Sequence, residues 1–248
     1  MSEKSIDTCE ALRVSSGEEA KKSKTIYSYT IKPGDIIVGL SSSGKSTYEK
    51  EYHSGFISNY EISLVNDVLH QDSRKCKVSP NITLISKIVS ICPNHLNDRL
   101  KGTTLTIGEA LLTPTRTYLP IFKKVFADPL INITGIIDCS EGGITKCINF
   151  GKGLKYYKYG LFHIPPIFKA IQTTEIIDFW RMFSIYNMGV GIEFTVSDHK
   201  SAMAIIDISK KFNVKAKIIG CVLENDTPDE NQVIIVYAKH THKYLKKI

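Results

Sequence analysis

The residue order predicts an α/β (α+β) domain: a mixed sheet of about four to six strands with helices packed on one face. Three observations lead there. Short apolar runs of strand character alternate with stretches whose apolar residues recur at helical spacing, the order that stacks a sheet against helices. The chain has 248 residues and is 42% hydrophobic, enough for a packed core in one large domain or two small ones. No window approaches the ~18 unbroken apolar residues of a membrane span, so no membrane partner is expected.

The elements follow in order. Residues 1–31 are polar and charged and read as an N-terminal extension without a signal peptide, ahead of one domain over 32–248. Lys32-Pro33-Gly34-Asp35 is a turn, because Pro presets φ and Gly allows φ > 0. Ile36 to Leu40 is then a short buried strand, and 41–57 a long polar loop. Ser58-Asn59-Tyr60-Glu61 has capping-box spacing and opens a helix to about His70. Residues 71–104 are less regular, and Asn81–Cys92 suits helix or strand. A helix is predicted over Tyr118–Phe126, with Pro120 in its first turn, and a strand over Ile131–Ile137. Ile144–Phe150 reads as a short helix, and Ile164-Pro165-Pro166 as a rigid turn before Ile167–Gln172. Thr174 is expected to cap a helix over Glu175–Ser184. Gly189–Val196 alternates like a strand. Ser197 is expected to cap Asp198–Phe212, with Met203, Ile205 and Ile206 as its apolar face. Val214–Val222 and Gln232–Ala238 close the sheet.

Charge and cysteine usage narrow the function. The net charge is +7, but the lysines are scattered, and only the tail HTHKYLKKI concentrates them. A solvated basic tail is the reading, with no nucleic-acid partner. His163 is read as packed or surface-exposed, and His240 and His242 as solvated. The six cysteines, at 9, 76, 92, 139, 147 and 221, make no C-x-x-C or zinc-ligand spacing. Reduced thiols in a cytoplasmic protein follow.

Gly39 to Ser46 spells G-x-x-x-x-G-K-S, the phosphate-cradling loop of nucleotide triphosphatases, and Ile136-Ile137-Asp138 resembles its metal-binding strand. That loop must open a helix that packs on a sheet. Here Thr47 to Gly55 has no apolar stripe and stops at glycine.

A second reading covers more of the chain. The pieces PGDIIVGLSSSG (33–44), TYEKEYHSG (47–55), SN (58–59), LLTPTRTY (111–118), CSEGGITK (139–146), IPPIFKAIQ (164–172), MFSIYNMGVGIEF (182–194) and AKIIGCV (216–222) lie in one order. In that order and spacing they resemble the C-terminal domain of the phosphoribosylformylglycinamidine cyclo-ligase (AIR synthase) family, in its long-loop bacterial variant. The resemblance implies that fold, and a purine-biosynthetic ligase that closes formylglycinamidine ribonucleotide to aminoimidazole ribonucleotide with ATP and Mg²⁺. It implies that Ser41, Ser42, Ser43, Gly44, Ser58 and Asn59 face the substrate phosphate, with backbone N–H groups of the serine loop suited to it. Thr115, Arg116, Asn187, Met188, Gly189 and Gly191 then lie near an interdomain cleft. It further implies a truncated chain, whose residues 1–31 end an otherwise missing N-terminal domain. That domain, which holds most of the ATP site, is supplied as a separate chain or a homodimer partner. A non-catalytic or decayed paralogue acting as a binding module stays open beside it, and a P-loop NTPase behind both. No catalytic acid or base is identified.

Overall fold

A computed structural model describes residues 30–56, 97–140, 142–173 and 177–248. In chain order the elements are β1 (Ile36–Ser41), α1 (Ile107–Leu111), α2 (Leu119–Ala127), β2 (Ile133–Asp138), a 3-10 helix (Gly143–Asn149), β3 (Leu154–Lys158), α3 (Pro166–Gln172), α4 (Phe179–Ile185), β4 (Val190–Val196), α5 (His199–Lys211), β5 (Ala216–Glu224), β6 (Glu230–Tyr237) and β7 (His240–Lys247). The strands form one mixed sheet in the order β2-β4-β1-β5-β3-β6-β7. Among the described residues only the β3–β6 pair is parallel.

The mixed α+β class stands, and two of its details change. The sheet has seven strands, not four to six, and helices cover both faces, not one. Alternate residues of β1 show this, since neighbours on a strand point to opposite faces. Val38 and Leu40 pack with Ile121, Phe122 and Val125 of α2 and Ala202 and Ile205 of α5. Ile37 packs into the other layer, with Ile144 and Cys147 of the 3-10 helix, Phe168 of α3 and Phe183 of α4. β4 is buried at every position, as a central strand covered on both sides must be.

The two unforeseen strands have identifiable disguises. In β3 the inward positions are Leu154, Tyr156 and Lys158, so a charge interrupts the apolar period. β7 follows β6 through Ala238-Lys239, both at positive φ, 49° and 68°. Such two-residue hairpins usually carry Asn or Gly there, and neither marks this one. The expected solvated tail is therefore an edge strand paired with β6 along its length. His242 is not simply solvated: its ring stacks on Trp180 at 5.0 Å and 8°. His240 is exposed, as is His163.

One helix is new and two helix starts move. α1 was not foreseen, although Thr106 and Glu109 close a complete capping box on it. α4 begins at Phe179 because the Asp178 carboxylate accepts from the N–H groups of Trp180 and Arg181 at 2.9 and 3.1 Å. Thr174, expected as its cap, lies outside the described residues, as does the helix expected from Ser58. α5 is capped by Asp198, not Ser197, through a 2.8 Å bond from the Ser201 N–H. Its buried face is Ala202, Ile205 and Ser209, while Met203 is exposed.

A buried ion pair joins β3 to β4. Lys158 Nζ lies 2.5 Å from Glu193 Oε1 and donates to the Ile144 carbonyl at 2.6 Å. Both side chains are buried. Burial alone would discharge Lys158, but the adjoining Glu193 carboxylate opposes it and keeps the ammonium protonated. Gly220, opposite Lys158, permits the close approach of β3: a Cβ there would stand 2.1 Å from the Tyr157 carbonyl oxygen.

Candidate functional site

β1 ends at Ser41, and the chain turns at once through Ser42, Ser43 and Gly44 into a loop that runs to Phe56. Two distant segments hold this turn. From the segment before α2, Arg116 Nη1 donates to the Ser41 and Ser43 carbonyls at 2.9 and 3.2 Å. The Tyr118 hydroxyl donates to the same Ser41 carbonyl at 3.0 Å. Burial pushes the Tyr118 phenol far up, so it is a permanent donor. From the entry to β4, Asn187 Oδ1 accepts from Ser42 Oγ at 2.9 Å and from the Gly189 N–H at 2.8 Å. Asn187 Nδ2 donates to the Gly55 carbonyl at 2.9 Å, joining the two ends of the loop.

The loop is its own scaffold as well. Glu49 takes the remaining edge of Arg116, Nε at 2.7 Å and Nη2 at 2.9 Å, and accepts from the Ser46 N–H at 2.6 Å. Burial raises the Glu49 carboxyl, but hydrogen bonds from Arg116 and Ser46 and the Arg116 charge overcome that and hold it below its usual range. Gly44 and His53 exchange backbone bonds at 3.0 and 2.7 Å. His53 Nδ1 is 2.8 Å from the Pro114 carbonyl oxygen, Tyr48 donates to the Thr117 carbonyl at 2.8 Å, and Ser54 to the Ala110 carbonyl at 2.6 Å.

Two glycines explain their identity by space. A Cβ on Gly191 would lie 2.0 Å from the Tyr118 hydroxyl oxygen. Gly55, at φ 88°, would place one 2.8 Å from Ser42 Oγ.

The fold thus gathers Ser41, Ser42, Ser43, Gly44, Arg116, Asn187, Met188, Gly189 and Gly191 from three separate motifs. Ser58 and Asn59 lie outside the described residues. Thr115 is exposed beside Arg116, whereas Arg116, Asn187, Met188, Gly189 and Gly191 are buried within this domain. What those five offer a cleft is shape. The amide cradle expected of the serine loop is already filled. The Ser42 N–H donates to the Gly189 carbonyl at 3.1 Å, Ser43 N–H to Ser41 Oγ at 3.2 Å, and Gly44 N–H to His53. Ser43 is the least buried of the three serines.

Sequence reasoning did not single out Glu49, Tyr118, His53 or Gly55. A signal for Glu49 exists: Ser46-x-x-Glu49 has capping-box spacing, and the Ser46 N–H to Glu49 bond is half of that box without its helix.

The geometry removes the P-loop NTPase reading. No helix starts within 46–56. Instead the Thr47 N–H bonds to the Phe212 carbonyl, Asn213 Nδ2 donates to the Lys45 carbonyl, and the Ser46 hydroxyl is buried. A Mg²⁺-phosphate loop needs the opposite of each. A cavity of ≈ 700 Å³ lined by Lys169, Trp180, Tyr237 and His240 shares no residue with the turn. Among the described residues no three His, Cys, Asp or Glu side chains group as metal ligands, and no helix is long and apolar enough to cross a membrane. Cys139 and Cys147 are unpaired and buried; burial pushes the Cys147 thiol up to about 12.

Comparison with known proteins finds the following likenesses. A family model described as AIR synthase related protein, C-terminal domain, matches residues 94–229. The phosphoribosylformylglycinamidine cyclo-ligase of Methanococcus vannielii is 34% identical over 209 residues, 83% of this chain and 49% of that protein. That of Methanocaldococcus jannaschii is 29% identical, over 86% of this chain and 52% of that protein. That of the bacterium Caldicellulosiruptor saccharolyticus is 31% identical, over 82% and 50%. The chain spans about half the length of these curated relatives. Among solved structures, E. coli HypE, a hydrogenase maturation protein, is 12% identical over 90% of this chain and 52% of its own, with a TM-score of 0.44.

Proposed function

Because the chain belongs to the AIR synthase related protein family through its C-terminal domain, we propose that it is the ribonucleotide-holding part of a phosphoribosylformylglycinamidine cyclo-ligase. In this reading the whole protein uses ATP to activate the formyl amide oxygen of formylglycinamidine ribonucleotide. That oxygen is a poor leaving group, and phosphorylation makes it a good one. The amidine nitrogen then attacks the activated carbon, the imidazole ring closes, and ADP and phosphate leave. The protein's task is positioning and charge stabilisation.

This chain's share is the substrate phosphate. The Ser41–Gly44 turn receives it through the Ser43 hydroxyl, with the exposed Thr115 next to Arg116. Arg116, Tyr118 and Asn187 fix the turn from behind. ATP is held chiefly by an N-terminal domain, a separate chain or a homodimer partner. The setting is the cytoplasm. Mg²⁺ goes with the ATP, chiefly to that N-terminal domain.

What supports the reading is the convergence of three collinear family motifs on one braced turn. A second reading, a binding module without catalysis, is favoured by the amides of Ser42, Ser43 and Gly44 being taken up internally. Calorimetric titration separates the two. Saturable binding of formylglycinamidine ribonucleotide, and ATP turnover once a separately expressed N-terminal half is added, supports the ligase. Binding without turnover in that mixture supports the module, and absence of ribonucleotide binding refutes the ligase.

A further inference from the structure

Glu49 lies outside the residues assigned to the ligand, yet it occupies one whole edge of Arg116. The guanidinium has two working edges. Nε and Nη2 meet the two carboxylate oxygens of Glu49 at 2.7 and 2.9 Å, and Nη1 meets the Ser41 and Ser43 carbonyls. The Arg116 side chain is 1% exposed and that of Glu49 6%. Glu49 also fixes the loop's return, through the Ser46 N–H and His53 Nε2, 3.6 Å from Oε1.

From this geometry we infer that Glu49 is a positioning residue for the Ser41–Gly44 turn, and that Arg116 acts on the ligand through the turn without touching it. A bidentate carboxylate sets the plane of a guanidinium. With that plane set, Nη1 points at two carbonyls that lie two residues apart, and the turn keeps one shape. A ligand phosphate that bound Arg116 directly would have to evict a buried carboxylate already paired with it. Without Glu49, a buried guanidinium keeps its charge, loses its counter-charge, and rotates toward solvent. Both serine carbonyls then lose their donor. The ligand named below rests on the function proposed above; the geometry does not.

The experiment compares the wild-type chain with Glu49→Gln, Glu49→Asp and Arg116→Lys. Folding is checked by circular dichroism, the Arg116 Nε–H and the Gly44 and Ser46 amides by nitrogen-15 NMR with hydrogen exchange, and formylglycinamidine ribonucleotide affinity by calorimetry. In Glu49→Gln the Arg116 Nε–H signal moves, the Gly44 and Ser46 amides exchange at least about tenfold faster, and affinity falls at least about tenfold. Glu49→Asp, which keeps a carboxylate, recovers most of each loss. Arg116→Lys keeps the charge without the fork and behaves like Glu49→Gln, which decides the matter should the Gln variant not fold. A folded Glu49→Gln or Arg116→Lys with wild-type exchange at Gly44 overturns the inference, as does wild-type affinity with exchange accelerated. If the wild-type chain binds no ribonucleotide, the functional reading fails, and the exchange result alone decides the role of Glu49.

Discussion

Replacing Asn187 by Ala breaks the joint between the serine turn and the entry to β4. The side chain is fully buried and makes three hydrogen bonds, with Ser42 Oγ, the Gly189 N–H and the Gly55 carbonyl. Truncation strands a buried N–H and a buried carbonyl, each costing about 1–3 kcal/mol when left unpaired. The Ser42 hydroxyl can rotate to another acceptor, so its share is small. The expected loss is about 3 kcal/mol, close to the low end of the summed penalties because a small residue admits water. For a chain of this length that lowers the melting temperature by about 6–12 °C. Urea unfolding followed by circular dichroism measures it, with the midpoint falling and the slope unchanged. Ser42→Ala alone costs about 1 kcal/mol, and the double variant costs less than the sum, by about 1 kcal/mol, because the two share a bond. A loss below about 1 kcal/mol for Asn187→Ala, or strict additivity with Ser42→Ala, would refute the joint.

Other expectations follow from single contacts. Gly191→Ala forces a Cβ into the Tyr118 hydroxyl, 2.0 Å away, and costs about 1–3 kcal/mol; the same change in a Tyr118→Phe background costs less, by thermal melting. Lys158→Met leaves Glu193 buried without its counter-charge and costs about 3–5 kcal/mol, whereas Lys158→Met with Glu193→Leu recovers most of it, by urea unfolding. The Asp198 carboxyl is held down to about 2, chiefly by bonds from Ser201. A depressed carboxyl stabilises above its unfolded value and loses that contribution as pH falls through the folded one. The stability advantage of wild type over Asp198→Asn therefore fades between about pH 4 and pH 2, in unfolding curves measured across that range.

Much of this fold is written in local signals, and the lapses have local causes. β1, β2, β4, β5 and β6 stand out because their apolar runs end at turns or caps. Lys158 hides β3 because its pairing partner is 35 positions away, beyond the reach of any sequence window. β7 is hidden by a basic composition and a hairpin turn without glycine or asparagine. The two-faced packing was missed for a related reason: α2 and α5 cover one face and α3 and α4 the other, and helical period does not say which side of a sheet a helix takes. At the site, the motif residues were found by their order along the chain. Their partners, Glu49 for Arg116 and the Gly55 carbonyl for Asn187, are distant in sequence and emerge only in the fold. The G-K-S pattern misleads for the converse reason, since a phosphate loop is defined by the helix after it.

The phosphate dependence of binding tests the central claim most directly. Formylglycinamidine ribonucleotide and its dephosphorylated riboside are titrated calorimetrically into the wild-type chain and into Ser43→Ala. The account predicts saturable binding of the ribonucleotide, at least about tenfold weaker binding of the riboside, and a preference for the phosphorylated form that shrinks in Ser43→Ala. Equal affinity for the two compounds, or a preference untouched by Ser43→Ala, would contradict it.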